Sequence, residues 1–213
     1  MERLAKKIAE TIGESLGQSD EDVAVVAYGL IGILQFTAIF LLASVIGSAC
    51  SFWLEVVVVF LSVGFLRRLT GGAHSSGIYS CLIYSVFFVC TISAISAFVL
   101  PSLPFVANCA IVGAVFLFAY VMVALKAPVA PPNKPCRSEA KRKRLRKGAF
   151  IVLTAFLATI VLALIFKDAW HKLYSLAMAL TLSTLWQITM MTKPGHKFIA
   201  FFDGLFSKKE SAK

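Results

Sequence analysis

Six long apolar segments, each bounded by charged or turn-forming residues, limit the folds that this chain can adopt. They cover roughly residues 23–47, 52–66, 78–100, 105–125, 149–166 and 169–191, and the second is short unless it continues to Leu69. A transmembrane helix needs about 20 predominantly apolar residues. Inside a bilayer, only helices and closed barrels satisfy every backbone hydrogen bond. The segments therefore predict an all-α, polytopic membrane protein with six transmembrane helices.

The composition agrees with a membrane protein. Hydrophobic residues make up 59% of the chain and charged residues only 15%, whereas a soluble domain carries about 25% charged residues. A net charge of +10 would indicate a nucleic-acid partner in a soluble chain. Here the positive residues lie between apolar segments, so we expect no nucleic-acid partner. The cysteine and histidine spacings predict neither a disulfide framework nor a metal site, and we expect no cofactor.

The distribution of positive charge predicts the topology. All but two of the 21 Lys and Arg residues lie near the termini, at 67–68 or at 126–147, and the exceptions are Lys167 and Lys172. Six spans put both termini on one side, and the side rich in Lys and Arg faces the cytoplasm. We therefore expect both termini, the segment after Arg67 and the basic loop 126–148 to be cytoplasmic.

We expect three regions. Residues 1–22 predict an amphipathic helix that lies on anionic lipid at the cytoplasmic face, because apolar residues recur at helical spacing: Leu4, Ile8, Ile12 and Leu16. A frayed polar terminus is the alternative, since Gly13 and Gly17 weaken a helix. Residues 23–192 form the six-helix membrane region, and residues 193–213 form a basic cytoplasmic tail.

A polar segment after the second apolar segment contains the candidate catalytic residues. It holds two arginines, three glycines, a histidine, a serine pair and a cysteine: Arg67, Arg68, Gly71, Gly72, His74, Ser75, Ser76, Gly77 and Cys81. Irregular backbone beside a membrane is tolerated where protein or water satisfies it. One interpretation is catalysis, with Cys81 as the nucleophile and His74 as its base. The other is a tight turn flanked by ordinary topology determinants.

A His74–Cys81 contact requires a break in the helix. On a continuous helix the two residues would lie about 10.5 Å apart along the axis, whereas a nucleophile and its base approach to about 3 Å. Positive φ angles at Gly71-Gly72 and Gly77 would let the chain fold back. A cap from Ser75 or Ser76 would then place Cys81 in a first helical turn, where the helix dipole favours thiolate.

Residues outside this segment add little to the candidate site. The segment from Arg67 to Cys81 contains no acidic residue, so no third catalytic group is identifiable. We expect Glu55 at the outer side of the membrane, Asp203 and His196 in the tail with Asp203 solvated, and Gln187 bonded between helices. Gly113 and Ala114 allow close helix packing, which leaves a homodimer open.

The motif resembles that of a known family. The series Arg67, Gly71-Gly72, His74 and Cys81 is similar to the signature of the accessory gene regulator B (AgrB) family, bacterial membrane endopeptidases that process quorum-sensing propeptides. The segment Ala127-Pro128, followed by Lys134-Pro135 and the basic run 141–147, resembles the cytoplasmic loop of that family. The resemblance covers nearly the whole chain.

The resemblance implies a cysteine endopeptidase in the bacterial cytoplasmic membrane. Cys81 would be its nucleophile and His74 its general base. Its substrate would be an AgrD-like propeptide, cleaved before an acidic C-terminal tail through a Cys81 thioester and cyclised to a thiolactone or lactone. Further residues would support the site or bind substrate: Arg67, Arg68, Gly71, Gly72, Ser75, Lys126, Pro128 and Lys134. The open alternative is a non-enzymatic peptide exporter or membrane scaffold, although the spans are nearly free of the buried charges typical of transporters and show no convincing repeat.

Overall fold

The computed structural model describes residues 2–73, 77–129 and 138–210, and the regular elements in these ranges are helical. The α-helices are, in order, α1 (Glu2–Leu16), α2 (Asp20–Ala49), α3 (Trp53–Thr70), α4 (Ile78–Ala94), α5 (Phe105–Lys126), α6 (Glu139–Ile165), α7 (Lys172–Thr189) and α8 (Lys193–Glu210). A π-helical turn, Ile95–Val99, and a 3-10 turn, Leu100–Ser102, extend α4. The all-helical prediction is confirmed.

The chain forms two compact units, Met1–Leu42 and Ala43–Lys213. In the first, the predicted N-terminal helix is present as α1, and its small residues Ala5 and Ala9 are buried. The predicted apolar residues of α1 are exposed, with Leu4 at 54% and Leu16 at 65%. The helix therefore turns its large apolar side chains outward, as a helix lying on lipid would.

Four helices in the described part of the chain are long and apolar enough to cross a membrane: α2, α4 with its extension to Ser102, α5 and α6. The protein therefore has the helices of a membrane protein, while the number of six spans and the side of the termini stay predictions. Of the other two predicted spans, α3 carries Glu55, Arg67 and Arg68, and α7 carries Lys172 and Gln187.

The polar side chains of α3 and α7 face each other. Ser62 Oγ donates to Ser183 Oγ at 2.6 Å. Nearer the end of α7, Gln187 Nε2 donates to Thr70 Oγ1 at 3.0 Å and to the Gly71 carbonyl at 2.8 Å. All four side chains are buried. Helices α3, α5 and α6 cover α7, so protein rather than lipid surrounds this helix, and the end of α3 supplies acceptors for the Gln187 amide N–H groups.

Glu55 anchors the other end of the α3–α7 pair. Its side chain is fully buried, and its Oε1 accepts hydrogen bonds from Ser175 Oγ at 2.6 Å and Lys172 Nζ at 3.4 Å. Glu55 lies in the first turn of the 18-residue α3, and Arg67 lies in its last turn. Because an 18-residue helix is about 27 Å long, Glu55 is far from the glycine turn, as predicted.

Helix α6 begins ten residues earlier than the apolar segment. The sequence predicted a loop up to 148, but the basic run 141–147 forms the first turns of α6. Lys and Arg are good helix formers, and Ser138 caps the helix by accepting a hydrogen bond from the Lys141 N–H. The positive side chains of Lys141 to Arg144 are exposed.

Much of the predicted basic tail, residues Lys193–Glu210, forms helix α8. It packs on α4 and α7 through an aromatic cluster: Phe88, Trp186, Phe198 and Phe202. Phe88 stacks on Trp186 with ring centroids 4.2 Å apart. At the start of α8, a Cβ at Gly195 would lie 2.3 Å from the Thr189 carbonyl oxygen. Glycine thus permits the close approach of α8 to the end of α7.

Ser175→Ala tests the bond that fixes Glu55. We expect the free energy of unfolding to fall by about 1–3 kcal/mol, because a buried carboxylate loses its shortest hydrogen bond. Equilibrium unfolding in detergent would measure this change. The control is Ser93→Ala, a fully buried serine that donates to the Val89 carbonyl of its own helix. Equal losses in the two variants would contradict a special role of the Glu55 contact.

Gly195→Ala tests the docking of α8. We expect a loss of about 1–3 kcal/mol, because the added methyl group meets backbone atoms that cannot yield easily. Gly204→Ala in the same helix is the matched control, since a Cβ there meets nothing within 4 Å; it should be neutral or slightly stabilising. Limited proteolysis of α8 and unfolding midpoints would check both. A neutral effect of Gly195→Ala would contradict the close approach of α8 to the end of α7.

Candidate active site around Cys81

A glycine turn follows α3. Gly71 has φ 70° and Gly72 has φ 133°, a region in which side-chain-bearing residues are strained. The Gly71 N–H bonds to the Arg67 carbonyl at 2.9 Å, and a Cβ on Gly71 would lie 2.0 Å from the Val129 carbonyl oxygen. The predicted positive φ angles at Gly71-Gly72 are confirmed, and contact with the chain after α5 adds a second requirement for glycine.

Gly77 does not follow that prediction. Its φ is −98°, which any residue can adopt, and it is the N-cap position of α4. A Cβ at Gly77 would instead lie 2.6 Å from Ser80 Oγ. Glycine here makes room for the Ser80 hydroxyl, which donates to the Gly77 carbonyl at 3.0 Å.

The turn is held from two sides. An Nη of Arg67 donates to the Ala73 carbonyl, and the Ala73 N–H donates to the Met190 carbonyl at 3.0 Å. Gln187 holds the Gly71 carbonyl from the same helix end. Arg67 is one of the residues expected to support the site or bind substrate, and its guanidinium contacts backbone here. Arg68 is exposed.

The chain after α5 forms the third wall. The Val129 N–H donates to the Thr70 carbonyl at 2.8 Å, and Val129 pairs with Gly71 as a short parallel bridge. Arg146 Nε donates to the Ala127 carbonyl at 2.9 Å. Pro128 therefore lies beside the glycine turn through its neighbour Val129, while the supporting roles of Lys126 and Pro128 stay predictions.

Cys81 lies in the first turn of α4, as predicted. Its N–H bonds to the Gly77 carbonyl at 3.0 Å. Its half-buried thiol donates to Tyr84 Oη at 3.6 Å and lies 4.0 Å from Ser85 Oγ. Cys81 also packs on a buried cluster that contains Ala73 and Tyr84.

Three predicted site residues, His74, Ser75 and Lys134, lie outside the described residues, and so does Ser76. The contact between His74 and Cys81 and the serine cap of α4 stay predictions. In the described ranges no group of three His, Cys, Asp or Glu side chains could hold a metal ion, and the cysteines at 50, 81, 90 and 109 are free thiols.

Sequence reasoning missed two groups beside Cys81. Tyr84 and Ser85 follow Cys81 at helical spacings of three and four, so this spacing was a usable signal. Asp203, expected to be solvated, is half-buried, and its Oδ1 accepts a hydrogen bond from Ser80 Oγ at 3.2 Å. No local pattern links Asp203 to Ser80, because the docking of α8 creates the contact.

A basic cavity of about 550 Å³ lies beside the turn, lined by Lys126, Val129, Met191, Lys193, His196 and Lys197. Val129 and Met191 connect this cavity to the walls of the turn. His196, predicted to be an ordinary tail residue, faces the cavity together with three lysines. Positive charge of this density attracts anionic groups.

Comparisons with known proteins identify relatives over most of the length. A protein named AgrB-like from Clostridium perfringens (strain SM101 / Type A) is 26% identical over 211 residues, which cover 98% of this chain and 99% of the relative. AgrB-like protein 2 from Clostridium perfringens (strain 13 / Type A) gives the same values. An AgrB-like protein from Listeria innocua serovar 6a is 29% identical over 154 residues, 70% of this chain and 71% of the relative.

No solved structure matches this chain significantly. The family match is extensive: residues 5–191 correspond to Accessory gene regulator B. This range contains the glycine turn, Cys81 and the segment after α5. The chain therefore belongs to the AgrB family.

Proposed function

We propose that this protein is a membrane-embedded cysteine endopeptidase that removes the C-terminal tail of an AgrD-like quorum-sensing propeptide and cyclises the remaining segment. The observation that carries the proposal is the placement of Cys81. Its half-buried thiol lies in the first turn of α4, beside Tyr84, and it packs on the cluster that includes Ala73 of the glycine turn. A free cysteine with polar neighbours at a helix start is suited to nucleophilic attack.

Groups that can stabilise a developing negative charge lie near the sulfur of Cys81. The positive end of the α4 dipole lies at this turn. The hydroxyls of Tyr84 and Ser85 can rotate to donate hydrogen bonds to a sulfur anion. Because the thiolate is the nucleophilic form, these groups support the assignment of Cys81.

The proposed reaction has two acyl transfers. His74, assigned by the resemblance, takes the thiol proton, and the sulfur of Cys81 attacks the carbonyl carbon of the bond before the tail. The C–N bond breaks, His74 returns the proton to the departing nitrogen, and the acyl segment remains on Cys81 as a thioester. A thiol or hydroxyl of the substrate then attacks the thioester, Cys81 leaves as a thiol, and the ring closes without nucleotide hydrolysis.

We further propose that the acidic tail of the propeptide binds the basic surface beside the turn. The cavity lined by Lys126, Lys193 and Lys197 lies next to Val129, which pairs with Gly71. The exposed basic turns of α6 would steer an anionic peptide towards it. Anionic lipid would compete for the same side chains, and from the positive-inside rule we expect these side chains on the cytoplasmic side.

Cys81→Ala tests the nucleophile. The protein would be reconstituted in lipid with an acidic-tailed propeptide, and its intact mass measured. We expect a gain equal to the propeptide minus its tail, removed by hydroxylamine, and no gain in Cys81→Ala. The control is Cys90→Ala, which changes another cysteine of α4 to alanine and should keep the adduct. If neither adduct nor released tail forms in the native protein, the endopeptidase proposal is wrong, and the alternative of a non-enzymatic exporter or scaffold is favoured.

Arg67→Lys tests the clamp on the turn. Lysine keeps the charge but lacks the planar fork of donors, so the bond to the Ala73 carbonyl should weaken. We expect the rate of tail release to fall by about tenfold or more, because small displacements of catalytic groups reduce rates strongly. Arg3→Lys, at an exposed arginine of α1, should match the native rate. An unchanged rate in Arg67→Lys would show that charge alone is needed.

A further inference from the structure

The inner face of α8 is defined by residues four apart. Gly195 and Ile199 are buried, and Asp203 continues the series one turn later. Gly195 approaches the end of α7, and Ile199 belongs to the buried cluster that contains Tyr84 and Ala73. Asp203 therefore lies on the docked side of the helix, which explains why its carboxylate reaches α4.

The Asp203 carboxylate contacts α4 at Ser80, the residue directly before the proposed nucleophile Cys81. Ser80, 5% exposed, donates to Asp203 Oδ1 at 3.2 Å and to the Gly77 carbonyl at 3.0 Å. A hydroxyl has one proton, so the two acceptors share it. The contact joins α8 to the residue that precedes Cys81, at a helix start where a negative charge is favoured by the dipole.

We propose that Asp203 is a positioning residue of the active site, which fixes the first turn of α4 through Ser80 and so holds Cys81 for attack. This inference rests on the proposed endopeptidase activity. Asp203 lies beyond residues 5–191, the range that matches the family, so family membership assigns it no role. The last helix then forms part of the site, rather than serving only as a basic tail.

The aromatic packing of α8 gives the contact its precision. Phe198 and Phe202 surround Phe88, two turns after Cys81 on α4. These rings set the position of α8 along α4, so the carboxylate reaches Ser80 from a packed helix and not from a free end. A group held on a packed helix can orient its partner more closely than one on a mobile segment.

A double-mutant cycle between Asp203 and Ser80 tests the proposal in the full-length protein reconstituted in lipid. The rate of propeptide tail release is measured per titrated Cys81 thiol, so that inactive molecules do not count. We expect kcat to fall about tenfold or more in Asp203→Ala and in Ser80→Ala, with KM nearly unchanged. The double variant should be no slower than the slower single variant, because both remove the same interaction.

The conservative variant separates positioning from folding. Asp203→Asn keeps an acceptor oxygen in the same place, so its kcat should lie closer to the native value than to that of Asp203→Ala. Gly204→Ala, in open space beside Asp203, should keep both the native kcat and the native unfolding midpoint. Native kcat in Asp203→Ala, failure of rescue by Asn, or additive losses in the cycle would each overturn the proposal.

The outcomes also separate this inference from the proposed function. If Cys81→Ala still releases the tail, the endopeptidase assignment fails whatever Asp203 does. If tail release requires Cys81 but Asp203→Ala keeps the native kcat, only the role of Asp203 fails. Unfolding midpoints of all variants, measured in the same detergent, show whether any loss of rate follows a loss of folded protein.

Discussion

The buried polar contact between α3 and α7 determines how the larger unit is arranged. Glu55 with Ser175, Ser62 with Ser183, and Gln187 with the end of α3 form three bonded levels along the pair. A buried donor or acceptor without a partner costs about 1–3 kcal/mol, so sliding or rotating one helix would break several bonds at once. This pair is therefore fixed in register, and the other helices can pack around it through apolar contacts.

That register carries over into the candidate site. Gln187 belongs both to the α3–α7 contact and to the turn, since it bonds the Gly71 carbonyl. The end of α7 also accepts the Ala73 N–H through Met190 and approaches Gly195 of α8. One helix end thus orients the glycine turn and the last helix, which reach Cys81 from different sides. A site assembled on rigid helix ends can position a nucleophile without a large soluble domain.

The sequence predicted those features that depend on local patterns. Apolar segments gave most helix positions, and Gly71-Gly72 with Cys81 indicated the turn and the helix start. Composition alone leaves α3 and α7 as predicted spans: they are less apolar than the other predicted spans, because each supplies partners for polar groups of the other. The Asp203 contact could not be predicted, because it joins residues 123 apart through the packing of α8.

The same contact links the docking of α8 to the proposed chemistry. A carboxylate on the inner face of a helix that packs through Phe198 and Phe202 is unfavourable unless a donor meets it. Ser80 supplies that donor, so the helix docks with Asp203 at the first turn of α4. An apolar residue at 203 would satisfy packing alone and would leave Ser80 without this acceptor. An aspartate at position 203 is therefore explained by the orientation of the turn that contains Cys81, and not by the strength with which α8 docks.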